Sequence, residues 1–348
     1  MNIILAAERS AGHIFPALTI ASAMIKDGKK GQSSQDKNVF IFTTSSKLKK
    51  YVEEEGFTAI GRCFSKRNIL IEGFWRFFES FYIIFKLRPG LVIGFGGRDS
   101  FFLVFISSLL FIKTFIYEPN VTFGRANKKL AWFVSGIWRG MVEDGLKKKE
   151  KSIGIPLRKG LLKLEKEQAR KSLGFDERPV IFCFGGSQGS VFINDIFMRF
   201  VKNVSESIQI IHLTGPDQDF QISRFYNKIS NNKFIRDFYY QIGTLYSAAD
   251  LLLCRAGALT LGEISYFNLP SVLVPYPSSG GHQKENALFF KKHEAAIVIE
   301  QDGFDFESFA VTLNEVLYDR CKQQKLIDNL QKIRLGVSFE DFQLPFDF

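Results

Sequence analysis

The sequence predicts an α/β protein made of two doubly wound, Rossmann-like parallel-sheet domains facing across a cleft. Short apolar runs of strand length alternate with stretches of helical periodicity along the whole chain. One such run in each half leads straight into a small-residue loop that opens a helix: Asn2–Ala7 into Glu8–His13, and Pro179–Phe184 into Gly185–Ser190. The third observation is Asp250–Asn286, which reads strand, loop, helix, strand, loop, helix. In such units ligands lie where loops leave the carboxyl ends of the strands, and a helix start with free N–H groups suits a diphosphate.

Taken in order, the strand Asn2–Ala7 is followed by the loop Glu8–His13 and a helix from about Pro16 to Asp27. Lys29–Lys37 is a polar loop, Val39–Phe42 a strand, Ser46–Glu55 a charged helix and Phe57–Phe64 a third strand region. Ile69–Leu87 has helical spacing of Ile71, Phe74, Trp75, Phe78, Phe81, Tyr82 and Phe85. That aromatic load fits a core helix, or a surface helix near lipid with Arg76, Lys86 and Arg88 at hand. Leu91–Gly97 is a strand entering a Gly-rich loop, followed by a helix over Ser100–Leu110, a strand at Thr114–Tyr117 and a helix near Asn127.

The charge run Lys147–Lys151 and the Gly/Pro punctuation at Ile153–Arg158 mark the domain boundary. The second half is expected to open with a helix over Lys163–Leu173. Strands follow at Pro179–Phe184, Ile208–Thr214 and Lys233–Phe238, with helices from Val191 and over Ile242–Ala249. In the closing unit, Leu251–Leu253 and Ser271–Val274 are strands. Thr260 opens a helix with Glu263 three residues on, the spacing of a capping box. The tail Phe306–Leu335 is helical.

A chain of 348 residues can bury two substantial cores, and 46% hydrophobic with 24% charged residues is ordinary for a globular protein. The charge is uneven. Residues 1–160 hold 26 Lys+Arg against 13 Asp+Glu, and the remainder 20 against 23, so the basic half suits an anionic surface. The basic residues are not interleaved as in a nucleic-acid module, so no nucleic acid is expected. The N-terminus does not read as a signal peptide, and no apolar run reaches membrane-spanning length. The four Cys show no paired spacing, which points to buried thiols in a reducing compartment.

No loop matches GxxxxGK[ST] or GxGxxG, which argues against a nucleoside triphosphatase and a dinucleotide oxidoreductase. No cluster has metal-ligand spacing, so neither metal nor cofactor is expected. His212 and His293 read as structural, whereas His13 and His282 lie in loops at strand ends. A near-neutral imidazole suits a general base that takes a proton from a sugar hydroxyl, and helix N-terminal packing is the competing role for His13. Glu263 either caps its helix or accepts the hydroxyls of a ribose. Gln283 and Asn286, one turn apart, can share a face.

Several blocks, in order along nearly the whole chain, resemble the MurG family of UDP-N-acetylglucosamine transferases. Asp250–Glu263 is similar to its ADxxxCRSGALTxxE block and Phe184–Gly189 to its GGSQG loop. Gly12–Ala17 matches GHxFPA and Ile93–Gly97 matches GxGG. Glu118–Asn120 resembles HEQN, Gly154–Arg158 resembles GNPVR, and His282–Gln283 with Asn286–Ala287 matches HQxxNA. The resemblance implies a GT-B fold. Residues 1–157 would form an acceptor and membrane-associated domain, residues 158–321 a UDP-GlcNAc domain, and a C-terminal helix over about 322–348 would pack back on the first.

It further implies an inverting transfer of GlcNAc to the C4 hydroxyl of MurNAc in undecaprenyl-linked lipid I, giving lipid II. Ser10, Ala11 and Gly12 would lie by the donor, with His13 the base. Asn120, Arg158 and Ser187 would contact donor groups, and Tyr239 the uracil. Ala258, Leu259, Thr260, Leu261, Gly262 and Glu263 would bind diphosphate and ribose, and Gln283 the GlcNAc hydroxyls. The implied location is peripheral, on the anionic cytoplasmic face of the bacterial inner membrane. The chain departs from the pattern at Glu8–Ala11, where the family has a Gly-rich loop, and at Arg98–Asp99, Tyr117 and Ile155. These departures keep open a related enzyme with another lipid acceptor, such as a diacylglycerol, and a non-catalytic UDP-sugar-binding membrane protein.

Overall fold

Ile3, Ile4, Leu5 and Ala6 have no exposed surface, as expected of a central parallel strand covered on both faces. In the computed structural model, which describes residues 1–8, 10–28, 37–63, 69–204, 207–216 and 219–345, the chain divides into two units. One is Met1–Lys159 with Val337–Phe348, and the other is Gly160–Gly336.

The first unit alternates β1 (Asn2–Ala6), α1 (Ala11–Gly28), β2 (Asn38–Phe42), α2 (Ser46–Glu54), β3 (Thr58–Ile60) and α3 (Ile69–Leu87). It continues with β4 (Leu91–Gly94), α4 (Arg98–Leu109), β5 (Lys113–Glu118), α5 (Arg125–Leu130), β6 (Gly136–Arg139), β7 (Glu150–Ser152) and β8 (Ile155–Pro156). The sheet order is β3-β2-β1-β4-β5-β6-β7, every pair parallel. One face carries a core with Ile14, Leu18 and Ile20 of α1 and Val52 of α2. The other carries Ile83 and Ile84 of α3, Leu103 and Val104 of α4, and Leu130 of α5. Phe342 joins the first of these cores, and Leu157 donates its N–H to Val337 O at 2.9 Å, so the chain end completes this unit.

The second unit runs α6 (Lys166–Ser172), β9 (Val180–Phe184), α7 (Val191–Asn203), β10 (Gln209–Leu213), α8 (Asp219–Tyr226), β11 (Lys233–Arg236) and α9 (Ile242–Ala248). Then come β12 (Leu251–Cys254), α10 (Ala258–Phe267), β13 (Ser271–Leu273), α11 (His282–Lys292), β14 (Ile297–Val298), α12 (Phe306–Tyr318) and α13 (Arg320–Ile333), with β15 (Gly336–Val337) where the chain leaves. Its sheet is β11-β10-β9-β12-β13-β14, again parallel. Both sheets reverse strand order beside their first strand, between β1 and β4 and between β9 and β12. Ligand crevices form at such switch points.

Several expectations are corrected. Helix α1 begins at Ala11, not Pro16, so His13 sits in its first turn rather than in a loop. Pro16 lies inside the helix, where it removes one backbone donor. Helix α6 covers only Lys166–Ser172 of the expected Lys163–Leu173. The charge run before the boundary contributes an edge strand, β7. The helical tail breaks at Asp319, which ends α12 and whose side chain caps α13 by accepting from Lys322 N at 3.0 Å. Within the loop expected at Lys29–Lys37, residues 29–36 lie outside the described residues, as do Arg9, Phe64 and residues 346–348.

The core-helix reading of α3 is also overturned. Its inward stripe is Glu72, Arg76, Ser80, Ile83 and Ile84, while Phe74, Trp75, Phe78, Tyr82 and Phe85 are exposed. The buried charges lie against groups of opposite charge within the unit. Arg76 Nη1 meets Glu79 Oε2 at 2.6 Å, Arg98 Nη2 meets Glu72 Oε2 at 2.8 Å, and Thr44 donates to the buried Asp99 at 2.7 Å. Cys183 and Cys254 are buried free thiols, and burial raises the pKa of both.

Candidate active site

In the first unit the site residues gather at the carboxyl ends of β1, β4 and β5. Ser10 is exposed, and its carbonyl accepts the N–H of His13 at 3.1 Å and of Ile14 at 3.2 Å, which fixes the first turn of α1. Ala11 and Gly12 are the first two helical residues. A methyl group built on Gly96 would lie 3.6 Å from His13 Nε2 and 3.5 Å from Asn127 Nδ2, so these two side chains flank the same loop. His13 Nδ1 is buried with no hydrogen-bond partner among the described residues. Burial pushes the imidazole down to about 4, so the ring is neutral at pH 7 with a lone pair able to take a proton.

The carboxylate of Glu118, almost wholly buried, organises the loop after β5. It accepts Asn120 Nδ2 at 2.8 Å, Gly124 N at 2.8 Å and Asn127 Nδ2 at 3.0 Å. Asn120 is thereby held half-exposed on this rim. Arg158 belongs to this unit, with its guanidinium 5.4 Å from the centre of the Phe15 ring on α1.

Glu8 supplies a feature the sequence did not suggest. Helix α4 starts at Gly97 with no cap from its own segment. Glu8 Oε1 instead accepts the N–H groups of Arg98 at 2.9 Å and Asp99 at 3.0 Å. Gly97 is at φ 92°, and a Cβ there would collide with the Glu8 carboxylate.

In the second unit, the loop Gly185–Gly189 leaves β9 with Ser187 exposed, and Ser190 caps α7 by accepting from Ile193 N at 3.3 Å. Next to it, α10 starts beyond β12 at Gly257 with no side-chain cap, which leaves first-turn amides at the sheet rim. The capping-box reading fails here. Ala258 is the first helical residue and Glu263 the sixth, too far along to reach back to the N-cap. Leu259, Thr260 and Glu263 instead form one half-buried stripe of the helix. Leu261 has no exposed surface, Ala258 is nearly buried, and the Gly262 carbonyl packs against Gly336.

Gln283 stands at the start of α11, where its Oε1 accepts Tyr276 N at 3.0 Å and orders the loop after β13. Asn286 does not share that rim. It is fully buried, and its Nδ2 donates to Ala256 O at 3.2 Å. Tyr239 follows β11, three strand positions from β12 or roughly 14 Å across the sheet. Its hydroxyl donates to Gln241 at 3.1 Å and its ring meets Phe234 edge-on.

Arg255 is a site residue that the sequence analysis does not single out. It is buried, and it donates to Ser190 Oγ at 2.8 Å, Val274 O at 3.1 Å and Pro275 O at 3.2 Å, tying together the loops after β9, β12 and β13. An Arg directly after a buried strand was the available signal. Tyr246, Glu118 and Asn127 were also missed. Among the described residues no group of His, Cys, Asp and Glu has metal-binding geometry.

The comparisons with known proteins bear on these two rims. Residues 3–138 match the glycosyltransferase family 28 N-terminal domain and residues 180–337 its C-terminal domain. A relative from Thermoanaerobacter sp. (strain X514) is 30% identical over 362 residues, covering 96% of this chain and 95% of its own. It is named a UDP-N-acetylglucosamine--N-acetylmuramyl-(pentapeptide) pyrophosphoryl-undecaprenol N-acetylglucosamine transferase. The chain belongs to the MurG family.

As a MurG-family member it is a glycosyltransferase. A relative from Halothermothrix orenii with the same name is also 30% identical, over 96% of this chain. The crystal structure of Acinetobacter baumannii MurG superposes with a TM-score of 0.76 over 97% of this chain at 22% identity. The glycosyltransferase VinC in complex with dTDP superposes at 0.68 and 12% identity. The fold is that of these two-domain transferases, GT-B, as expected. The MurG-family departures at Glu8 and Arg98–Asp99 meet each other in the structure, at the start of α4.

Proposed function

We propose that this protein transfers GlcNAc from UDP-GlcNAc to the C4 hydroxyl of MurNAc in undecaprenyl-pyrophosphoryl-MurNAc-pentapeptide, lipid I, giving lipid II for peptidoglycan synthesis. Relatives named for this transfer span nearly the whole chain. The observation that carries the reading is the half-buried stripe of Leu259, Thr260 and Glu263 beside the uncapped start of α10. A carboxylate there suits paired ribose hydroxyls, and the free amides suit the diphosphate.

In the transfer, His13 takes the proton of the acceptor hydroxyl as its oxygen bonds to the anomeric carbon. The bond from that carbon to the diphosphate oxygen breaks, and UDP leaves with the bonding pair. Ser10, Ala11, Gly12, Asn120, Arg158 and Ser187 line the donor's path, Tyr239 meets the base and Gln283 the sugar hydroxyls. The amides at the start of α10 offset the charge that develops on the leaving group.

The acceptor is lipid-linked, and α3 supports docking on a bilayer. Phe74, Trp75, Phe78, Tyr82 and Phe85 point outward, and exposed Trp132 and Phe133 follow α5. Lys86, whose Nζ lies 5.4 Å from the Tyr82 ring centre, and Arg88 add positive charge. No described helix is long and apolar enough to cross a membrane. Peripheral attachment to the anionic cytoplasmic face fits these features.

The test is release of UDP from UDP-GlcNAc by purified protein with lipid I, repeated for His13→Ala and Glu263→Ala. Transfer that both substitutions abolish supports the assigned roles; unchanged turnover in both refutes them. Replacing lipid I by a diacylglycerol in the same assay separates the two acceptor classes.

A further inference from the structure

We propose that Tyr246 is the positioning residue for Glu263, fixing its carboxylate for recognition of the donor ribose. The proposal rests on the reading of Glu263 as the ribose contact. Tyr246 lies on α9, outside the block that carries the family resemblance in this unit, and its side chain reaches under α10. Its hydroxyl donates to Glu263 Oε2 at 2.7 Å.

The tyrosine is fixed before it meets the carboxylate. Its ring is 2% exposed. It stacks on Phe267 with centroids 5.0 Å apart, and meets Phe182 edge-on at 5.5 Å and Phe184 at 6.2 Å. Phe182 and Phe184 belong to β9 and Phe267 to α10, so the hydroxyl position is referenced to the switch-point strand and to the donor helix together. A ring wedged this way keeps few torsional options, and its hydroxyl has a single direction in which to point.

Glu263 needs such a partner. It stands six residues into α10, half-buried, on three rotatable bonds. An unrestrained glutamate would have to be ordered by each incoming donor, at a cost in side-chain entropy. With one oxygen held by Tyr246, the rotamer is set in advance. Because Tyr246 is the donor, the carboxylate remains an acceptor and therefore selects hydroxyl donors on the ligand. A ribose 2′-hydroxyl fits that demand, and a 2′-deoxyribose does not.

The experiment measures binding of UDP and 2′-deoxy-UDP by calorimetry to the full chain and to Tyr246→Phe, Glu263→Gln and the double variant, alongside transfer kinetics. Phenylalanine keeps the ring packing and deletes only the hydroxyl. The expected result is that Tyr246→Phe loses most of the preference for UDP over 2′-deoxy-UDP. Its UDP-GlcNAc KM should rise about tenfold, equivalent to ~1.4 kcal/mol, with kcat within about twofold. The double variant should bind UDP no worse than Glu263→Gln alone.

Full retention of the UDP preference in Tyr246→Phe, or additive losses in the double variant, overturns the proposal. A fall in kcat with unchanged KM and unchanged preference marks a purely structural tyrosine and also overturns it. Should Tyr246→Phe fail to fold, the ratio of UDP to 2′-deoxy-UDP affinity in Glu263→Gln decides: an unchanged ratio refutes the proposal. A wild-type chain that binds neither nucleotide refutes the donor reading itself, a result distinct from any failure of the variants.

Discussion

Glu8 and Arg98 stand ninety residues apart in sequence, yet Glu8 Oε1 accepts the Arg98 N–H at 2.9 Å and, with it, the Asp99 N–H at 3.0 Å. A side chain from the end of β1 therefore caps α4 across the switch point of the first sheet. The carboxylate satisfies two orphan amides and opposes the positive end of the helix dipole.

Glu8→Ala is expected to lower stability by about 1 kcal/mol, read as a shift in urea midpoint with an unchanged slope. A midpoint within error of wild type would show that water replaces the carboxylate at no cost.

His13 should give transfer an acid limb. With its imidazole held down at about 4 by burial, the ring is unprotonated across the neutral range and loses its proton-accepting role only as pH falls through that value. A kcat/KM profile that is flat from pH 7 down to about 5 is expected. A limb near 6.5 would show that the ring is not desolvated in the working enzyme. His13→Ala should cost about a hundredfold or more in kcat.

His212 is a structural histidine, as its place in a strand suggested. Its ring nitrogens meet Tyr226 Oη at 2.9 Å and Asn194 Oδ1 at 3.0 Å. Burial lowers its pKa from 6.5 to about 3. The unfolded chain therefore takes up the proton first. The stability contributed by neutral His212 is complete above pH 6.5 and drains as pH falls toward about 3, at ~1.4 kcal/mol per unit. His212→Phe should cost about 1–3 kcal/mol at pH 7 and flatten the acid side of the stability curve. Parallel curves for the two proteins would remove His212 as the cause.

The exposed face of α3 should matter for lipid and little for folding. Replacing Phe74, Trp75 and Phe78 together by Ser is expected to abolish sedimentation with vesicles of anionic phospholipid. Stability should move by less than about 0.5 kcal/mol per site. Sedimentation equal to wild type would take α3 out of the membrane contact.

Much of this protein was legible in the sequence because its physics is local. Strands buried on both faces must be continuous apolar runs, so Ile3–Ala6, Val180–Phe184 and Leu251–Cys254 announced a parallel α/β sheet. The small-residue loops at their ends gave the two rims, and the ordered motif blocks gave the family. What sequence could not decide was which side of an element faces inward and which distant residue supplies a missing partner. The spacing of α3 is equally helical with its aromatics buried or exposed. In the structure Glu72 and Arg76 turn inward to ion-pair with Arg98, Asp99 and Glu79, and the aromatics face out. The spacing of Thr260 and Glu263 fits a capping box, but the helix starts two residues earlier and Glu263 accepts from Tyr246 instead. Periodicity fixes a segment's own geometry. The hydrogen bonds of Glu8 with Arg98 and of Tyr246 with Glu263 exist only once the sheet has brought separate segments together.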